Sequence, residues 1–264
     1  MILVASDVHL GYDRSNFGAF GSFLDKCDAA DIDHLVLLGD VFDFWRMNNA
    51  NIAMDPRYAD IFEKLGGLKI KNVHYVVGNH DFNILRLSEK CVKSFGANVF
   101  PYAVSKSLRL EDGGSRFYFI HGYELEVLLS LKPLNIENYE QFSDYMCFNN
   151  DVTGSFASKM WDIIQKHGSA QKMADLKKAP HERETIDNIR KFAESKGIFM
   201  LLGMKPDEKL VFGHTHRPFI SDDRKIANSG SWVNEHADRR LQNTYVKIID
   251  GQMEVKIFDE DDFP

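Results

Sequence analysis

The chain has 264 residues, of which 44% are hydrophobic and 27% charged, a composition that can fill a core and that excludes wholesale disorder. Its 32 basic against 39 acidic residues leave a formal charge of −7, which argues against a protein that coats nucleic acid by bulk electrostatics. No apolar run reaches the roughly 18 residues that suggest a membrane span.

The start, Met1-Ile2-Leu3-Val4-Ala5-Ser6-Asp7, lacks a basic leader region and reads as a strand. Phe17, Phe20, Leu24 and Cys27 then recur at helical spacing, which predicts a helix from about Ser15 to Ala30. Leu35–Leu38 is a buried-strand run that ends at Gly39. Asp55-Pro56 sets an N-cap with Pro at the first helical position, and Tyr58, Ile61, Phe62 and Leu65 supply the apolar face. Val73–Val77 is the next strand, so the first 80 residues predict parallel strands joined by helices. Asp112-Gly113-Gly114 turns a hairpin between Leu108–Leu110 and Phe117–Ile120. From about Tyr123 to Leu202 helical spacings dominate, as in Phe156, Met160, Ile163 and Ile164, or Ile186, Ile189 and Phe192. Strands resume at Leu210–Phe212 and near Lys225–Ala227, and a last hairpin, Tyr245–Ile249 and Glu254–Phe258, turns at Asp250-Gly251. Cys27, Cys91 and Cys147 are scattered and odd in number, which reads as buried free thiols in a reducing cytoplasm.

The chemistry gathers where strands end. Met1–Ser6 runs into Asp7-Val8-His9, Leu35–Leu38 into Gly39-Asp40-Val41-Phe42-Asp43, and Val73–Val77 into Gly78-Asn79-His80-Asp81. Phe117–Ile120 runs into His121-Gly122, and Leu210–Phe212 into Gly213-His214-Thr215-His216. Ligands of α/β sheets bind at the carboxyl ends of the strands. Residues two apart in an extended segment point the same way, so Asp7 and His9 can aim at one centre, as can His214 and His216. Mixed Asp, His and Asn donors suit divalent metals such as Zn, Fe, Mn, Ni or Mg, and no thiolate lies in these blocks.

Five such blocks in order resemble the calcineurin-like metallophosphoesterase superfamily, whose pattern is D-x-H, G-D-x-x-D, G-N-H-D/E, H and G-H-x-H. The resemblance covers about residues 1–121 and 209–232. It implies a four-layer α/β/β/α sandwich of two mixed sheets, forming one domain over 1–264 with a helical insertion at about 123–202. It implies that one metal is held by Asp7, His9, Asp40 and His216, and a second by Asp40, Asn79, His121 and His214. His80 would be a general acid or a stabiliser of transition-state charge, Asp43 a supporting carboxylate, and Asp81 the residue that orients His80. The cofactors would be two divalent ions, manganese first, with Zn, Fe, Ni or Mg as alternatives. Two ions roughly 3.5–4 Å apart suit in-line attack by a bridging hydroxide on a phosphodiester or diphosphate.

Ninety-two positions separate His121 from Gly213, enough for an insertion of roughly 70–80 helical residues that caps the site, or else packs on its flank or at an oligomer contact. Residues 122–207 hold 11 basic and 13 acidic side chains, so they make no basic groove, although Lys159, Lys166, Lys172, Lys177 and Lys178 leave residues 159–178 at +3. Leu125, Leu128, Leu129, Leu131, Phe142, Tyr145, Met146 and Phe148 read mostly as core, with some available to line an apolar pocket. Gly39-Asp40-Val41-Phe42-Asp43-Phe44-Trp45 is similar to the UDP-2,3-diacylglucosamine pyrophosphate hydrolase branch, which also has a helical insert. That branch carries an acidic residue directly after His-Gly, where this chain has His121-Gly122-Tyr123-Glu124.

The expected substrate is a phosphate ester, with a lipid-linked or nucleotide diphosphate as the finer reading. A repair-exonuclease-type nuclease is the alternative suggested by Asp7–Tyr12, and a non-catalytic scaffold would need missing ligands. Arg14 and Arg217 follow motif blocks and read as surface ion pairs before phosphate grips. His34, His74, His167, His181 and His236 lie outside the blocks and read as surface or core histidines.

Overall fold

Strand β1 (Ile2–Ala5) is buried along its whole length. Successive strand side chains face opposite ways, so Ile2 and Val4 enter one apolar cluster while Leu3 and Ala5 enter another. Strand β2 (His34–Leu38) repeats the split: Val36 and Leu38 join Ile2 and Val4, and Leu35 and Leu37 join Leu3 and Ala5. A strand buried on both faces needs a layer on each side, and the rest of the chain supplies them. The structure, a computed structural model, describes residues 1–88, 102–130, 135–148, 184–195, 197–261 and 263.

The further strands are β3 (Asn72–Val76), β4 (Ala103–Ser105), β5 (Ser107–Asp112), β6 (Ser115–Ile120), β7 (Glu208–Phe212), β8 (Phe219–Ile220), β9 (Ile226–Asn228), β10 (Thr244–Ile249) and β11 (Gln252–Ile257). One sheet runs β11-β10-β1-β2-β3-β4 and the other β5-β6-β7-β9-β8. Pairings β1/β2, β2/β3, β3/β4, β6/β7 and β7/β9 are parallel and the others antiparallel, so both sheets are mixed. Helices α1 (Phe17–Ala29), α2 (Asn49–Met54) and α3 (Ala59–Gly67) precede β3, and α4 (Tyr123–Ser130), α5 (Ile136–Phe148), α6 (Glu184–Ala193) and α7 (Ile198–Leu201) lie between β6 and β7.

Three apolar clusters mark three interfaces. Phe20, Phe23 and Leu24 of α1, with Ile61 and Leu65 of α3, cover the outer face of the first sheet. Phe117, Phe119 and Val211 of the second sheet meet Val4, Val36 and Val246 of the first. Tyr118, Ile120, Leu210 and Phe212 pack outward against Leu125, Ile189, Ala193 and Ile198 of the helices. The layers are therefore α/β/β/α, as the family resemblance implies, and each fully buried aliphatic or aromatic side chain contributes about 1.5–3 kcal/mol of transfer free energy.

Local signals hold in detail. Gly113 and Gly114 at φ 54° and 74°, and Asp250 and Gly251 at 50° and 75°, make the two-residue turns that join β5 to β6 and β10 to β11. The Asp55 carboxylate accepts from Arg57 N and starts a 3₁₀ turn over Pro56–Tyr58 that feeds α3. Helix α1 is a little shorter than predicted at each end, and β11 begins two residues before the predicted Glu254. Strands β4 and β8 and helix α2 were not anticipated from the sequence, because two to six residues are too short to display a period. The Phe156–Ile164 spacing, Cys91, Leu131, His167, His181 and the lysines of 159–178 lie outside the described residues. Cys27 and Cys147 are buried free thiols, and among the described residues no helix is long and apolar enough to cross a membrane.

Candidate metal centre

The ends of β1, β2, β3, β6 and β7 bring the five motif loops to one edge of the sandwich, at the seam between its sheets. Eight described non-glycine residues have positive φ, and five are Asp7 (54°), His9 (52°), Asp40 (53°), His214 (65°) and His216 (56°). Left-handed backbone costs on the order of 1 kcal/mol or more per residue, and it is sustained only where the surroundings fix it. Here they do: Asp7 N donates to Gly39 O at 3.0 Å, His9 N to Asp40 O at 2.9 Å, and Trp232 N to Asp7 O at 3.0 Å. Trp232 is locked against Phe20, Phe23 and Phe258. Two glycines make room for His121 and Asp40. A Cβ on Gly39 (φ 82°) would sit 2.5 Å from the His121 ring, and one on Gly78 would strike the Asp40 carboxylate.

Six predicted side chains converge. Nε2 of His9 lies 3.1 Å from Nε2 of His216, which lies 3.3 Å from Oδ1 of Asp7. An ion with bonds of about 2.0–2.2 Å sets neighbouring ligand atoms about 3 Å apart, so these three donors fit one shell. Asp40, His121 and His214 form a second group. Oδ2 of Asp40 is 3.2 Å from Nε2 of His121 and 3.8 Å from Nε2 of His9, so it lies between the two groups. Asp7 Oδ1, Asn79 Oδ1 and His121 Nε2 are buried and make no hydrogen bond among the described residues. In the metal-free chain Asp7 Oδ1 faces His216 Nε2 at 3.3 Å and His121 Nε2 faces Asp40 Oδ2 at 3.2 Å, and a cation can take the place of the protons these nitrogens hold.

Outer contacts fix the rings. Nδ1 of His9 meets Asp43 Oδ2 at 3.0 Å, and Nδ1 of His121 donates to Leu38 O at 2.9 Å. Nε2 of His214 meets Glu126 Oε2 at 2.6 Å, and Nδ1 of His216 meets Glu235 Oε2 at 3.1 Å. Each imidazole thus spends one nitrogen on an oxygen and keeps the other for the centre. His80 is placed similarly: Asp43 Oδ1 holds its Nδ1 at 2.8 Å, and Trp45 stacks on its ring with centroids 4.3 Å apart. Asp43 also receives the Arg46 guanidinium, whose carbon sits 4.2 Å from the Tyr12 ring centre.

Asp81, expected to orient His80, does different work. Its Oδ1 accepts from Gly78 N at 2.7 Å, and its Oδ2 accepts from Val41 N at 2.9 Å and Tyr75 OH at 2.6 Å. It ties the β2 and β3 loops together and leaves His80 to Asp43. Burial and the adjacent Asp40 charge push its pKa up to about 6.

The remaining electrostatics follow from three buried carboxylates among imidazoles. Burial opposes an imidazolium at His121 and His216. Asp40 and Asp7 outweigh it at the first, Asp7 and Glu235 at the second, and each pKa rises to about 10. Burial likewise opposes charge on His80, but Asp43 and Asp40 hold its pKa above the ordinary value. For Asp43, burial alone would raise the pKa, and His80 and His9 bring it well below the carboxylate range.

Sequence reasoning missed Glu126 and Glu235, which sit outside every block; the only signal is that Glu126 follows His121 by five residues. His236, read as unrelated, reaches His216 O through Nε2 at 2.9 Å. Arg217 pairs with Asp187 at 2.8 Å, the ion pair expected of it.

Comparison with known proteins agrees with this geometry. The profile of the calcineurin-like phosphoesterase family matches residues 1–218. A UDP-2,3-diacylglucosamine hydrolase of Shewanella loihica is 24% identical over 251 residues, 93% of this chain and 94% of that protein. One from Shewanella baltica strain OS223 is 28% identical over 246 residues, 88% of this chain and 90% of that protein. Among solved structures, a dimetal phosphatase from Danio rerio has the same fold, with a TM-score of 0.50 and 14% identity over 97% of this chain and 94% of that one.

Proposed function

Because the chain belongs to the calcineurin-like phosphoesterase family of metal-dependent hydrolases, we propose that it hydrolyses a phosphodiester or diphosphate bond at a two-ion centre. Asp7, His9, Asp40 and His216 hold one ion, and Asp40, Asn79, His121 and His214 the other. The observation that carries this reading is the convergence of six donor side chains, Asp7, His9 and His216 in one group and Asp40, His121 and His214 in another. When bound, the ions supply positive charge against the phosphoryl oxygens and lower the pKa of the attacking water.

The chain's own residues do the rest. Asp43 anchors Nδ1 of His80, which leaves Nε2 to carry a proton towards the leaving oxygen. In the metal-free chain the Asp43 and Asp40 charges hold the His80 pKa above its ordinary value, which favours the protonated ring. Trp45 covers the ring and Phe142 of α5 meets Trp45 edge-on at 5.7 Å, so an aromatic wall runs from the acid to the helices between β6 and β7. Such a wall suits a substrate with an apolar part. Together with the relatives named UDP-2,3-diacylglucosamine hydrolase, it favours the diphosphate of a lipid-linked nucleotide over nucleic acid, which the charge of −7 also disfavours. In this reading residues 1–264 form one domain, with about 123–202 as a helical insertion within it that caps the centre, and the protein works in the cytoplasm.

Asp40→Ala and His214→Ala should each abolish hydrolysis of a bis-aryl phosphate in the presence of Mn. Unchanged turnover in both variants would overturn the two-ion reading. Across monoesters, diesters, nucleotide diphosphates and DNA, assayed with Mn, Zn, Mg and Fe in turn, the diphosphates should give the highest kcat/KM, and a preference for DNA would overturn the substrate class.

A further inference from the structure

We infer that Glu126 is a positioning residue of the metal centre, which makes helix α4 a working part of that centre. The inference rests on the two-ion reading above. Oε2 of Glu126 lies 2.6 Å from Nε2 of His214. An imidazole that gives its Nε2–H to a carboxylate keeps its Nδ1 lone pair, so Nδ1 is the nitrogen left for the group formed with Asp40 and His121. Without the carboxylate the ring can swing, and its neutral form can place the proton on the wrong nitrogen.

The other three imidazoles of the centre are steadied from within the two-sheet core and its loops, by Asp43, the Leu38 carbonyl and Glu235. Among the described residues, His214 is the one of the four whose hydrogen-bonding partner comes from the helices between β6 and β7. Helix α4 is held firmly enough to do this. Leu125 is fully buried with Ile189 and Ala193 of α6 and Phe212 of β7. Tyr123 donates its hydroxyl to Glu140 of α5 at 3.0 Å and stacks on Tyr139 with centroids 5.6 Å apart. Neighbouring helical residues diverge by about 100°, so seating Leu125 in the core turns Glu126 along the flank, where it meets His214. Ordering of α4 and retention of the second ion are therefore linked.

Calorimetric titration with Mn tests this on the full chain, alongside electron paramagnetic resonance of the coupled Mn pair. The unaltered protein should take up two ions. Glu126→Ala should keep one ion at unchanged affinity, bind the other about 10–100-fold more weakly, and lose the coupled-pair signal at stoichiometric metal. Glu126→Gln should recover part of the affinity, because its amide oxygen still accepts the Nε2–H. Should Glu126→Ala fail to fold, Glu126→Met carries the test with a similar length and no oxygen acceptor. Unaltered affinity for both ions in the folded Ala or Met variant overturns the assignment alone. Uptake of fewer than two ions by the unaltered protein overturns the two-ion reading beneath it.

Discussion

Asp43 takes four donors: Nδ1 of His9, Nδ1 of His80, the Arg46 guanidinium and the Arg46 backbone N–H. One carboxylate thus fixes both a metal-facing ring and the proposed acid, so their relative position is set by a single rigid anchor. If His80 donates a proton, its value depends on how much the leaving group needs one. His80→Gln should lower kcat about 10²–10⁴-fold on a diester with an alkyl alcohol leaving group, and far less on a nitrophenyl diester, whose anion leaves unaided. Equal losses on both substrates would assign His80 to charge stabilisation instead. Asp81 teaches the complementary lesson. It belongs to the same block as His80 and is as deeply buried as Asp43, yet its contacts are to backbone N–H groups and Tyr75, so adjacency in a motif does not determine what a side chain touches.

At the scale of elements, the strand-end blocks were legible because each strand is a short apolar run that stops at glycine or at the motif itself, and parallel pairing then carries those ends to one edge. Glu126 and Glu235 were not legible, because they approach the centre from a helix flank and a loop at no fixed spacing from the histidines they support. The same limit applies to His34 and His74. Nothing in the sequence couples them, yet neighbouring strands β2 and β3 stack their rings with centroids 5.2 Å apart and bring Nδ1 of His34 to 2.9 Å from Nε2 of His74. Burial lowers both pKa values, and at His74 the charge of His34 adds to it. An imidazole with a lowered folded pKa contributes stability that is complete above its unfolded value of about 6.5 and is lost as pH falls from there through the lower folded value. The unfolding temperature of His74→Gln should therefore fall less than that of the unaltered chain between pH 7 and pH 5. Parallel declines in the two proteins would show that the pair does not titrate in this range.

For the whole molecule, the centre is a seam. Asp7, His9, Asp40 and Asn79 come from loops of the first sheet, and His121, His214 and His216 from loops of the second. Ions held by both sets, as proposed, would bind the folded chain and not the unfolded one, so they should raise its stability. At about 100 times its dissociation constant, each ion adds about 2.7 kcal/mol. A chain of this size gains about 2–4 °C per kcal/mol, so one ion should raise the unfolding temperature by about 5–10 °C. Protons compete for the same lone pairs. His121 and His216, with pKa values of about 10 in the metal-free chain, stabilise it fully below about pH 6.5, and that contribution is lost as pH rises through 10. An ion must displace those protons, so the cost of its binding falls as pH rises. The gain in unfolding temperature on adding Mn should therefore be larger at pH 8.5 than at pH 6.5, and calorimetry in buffers of different ionisation enthalpy should show net proton release. A pH-independent gain without proton release would mean that the ions bind away from His121 and His216.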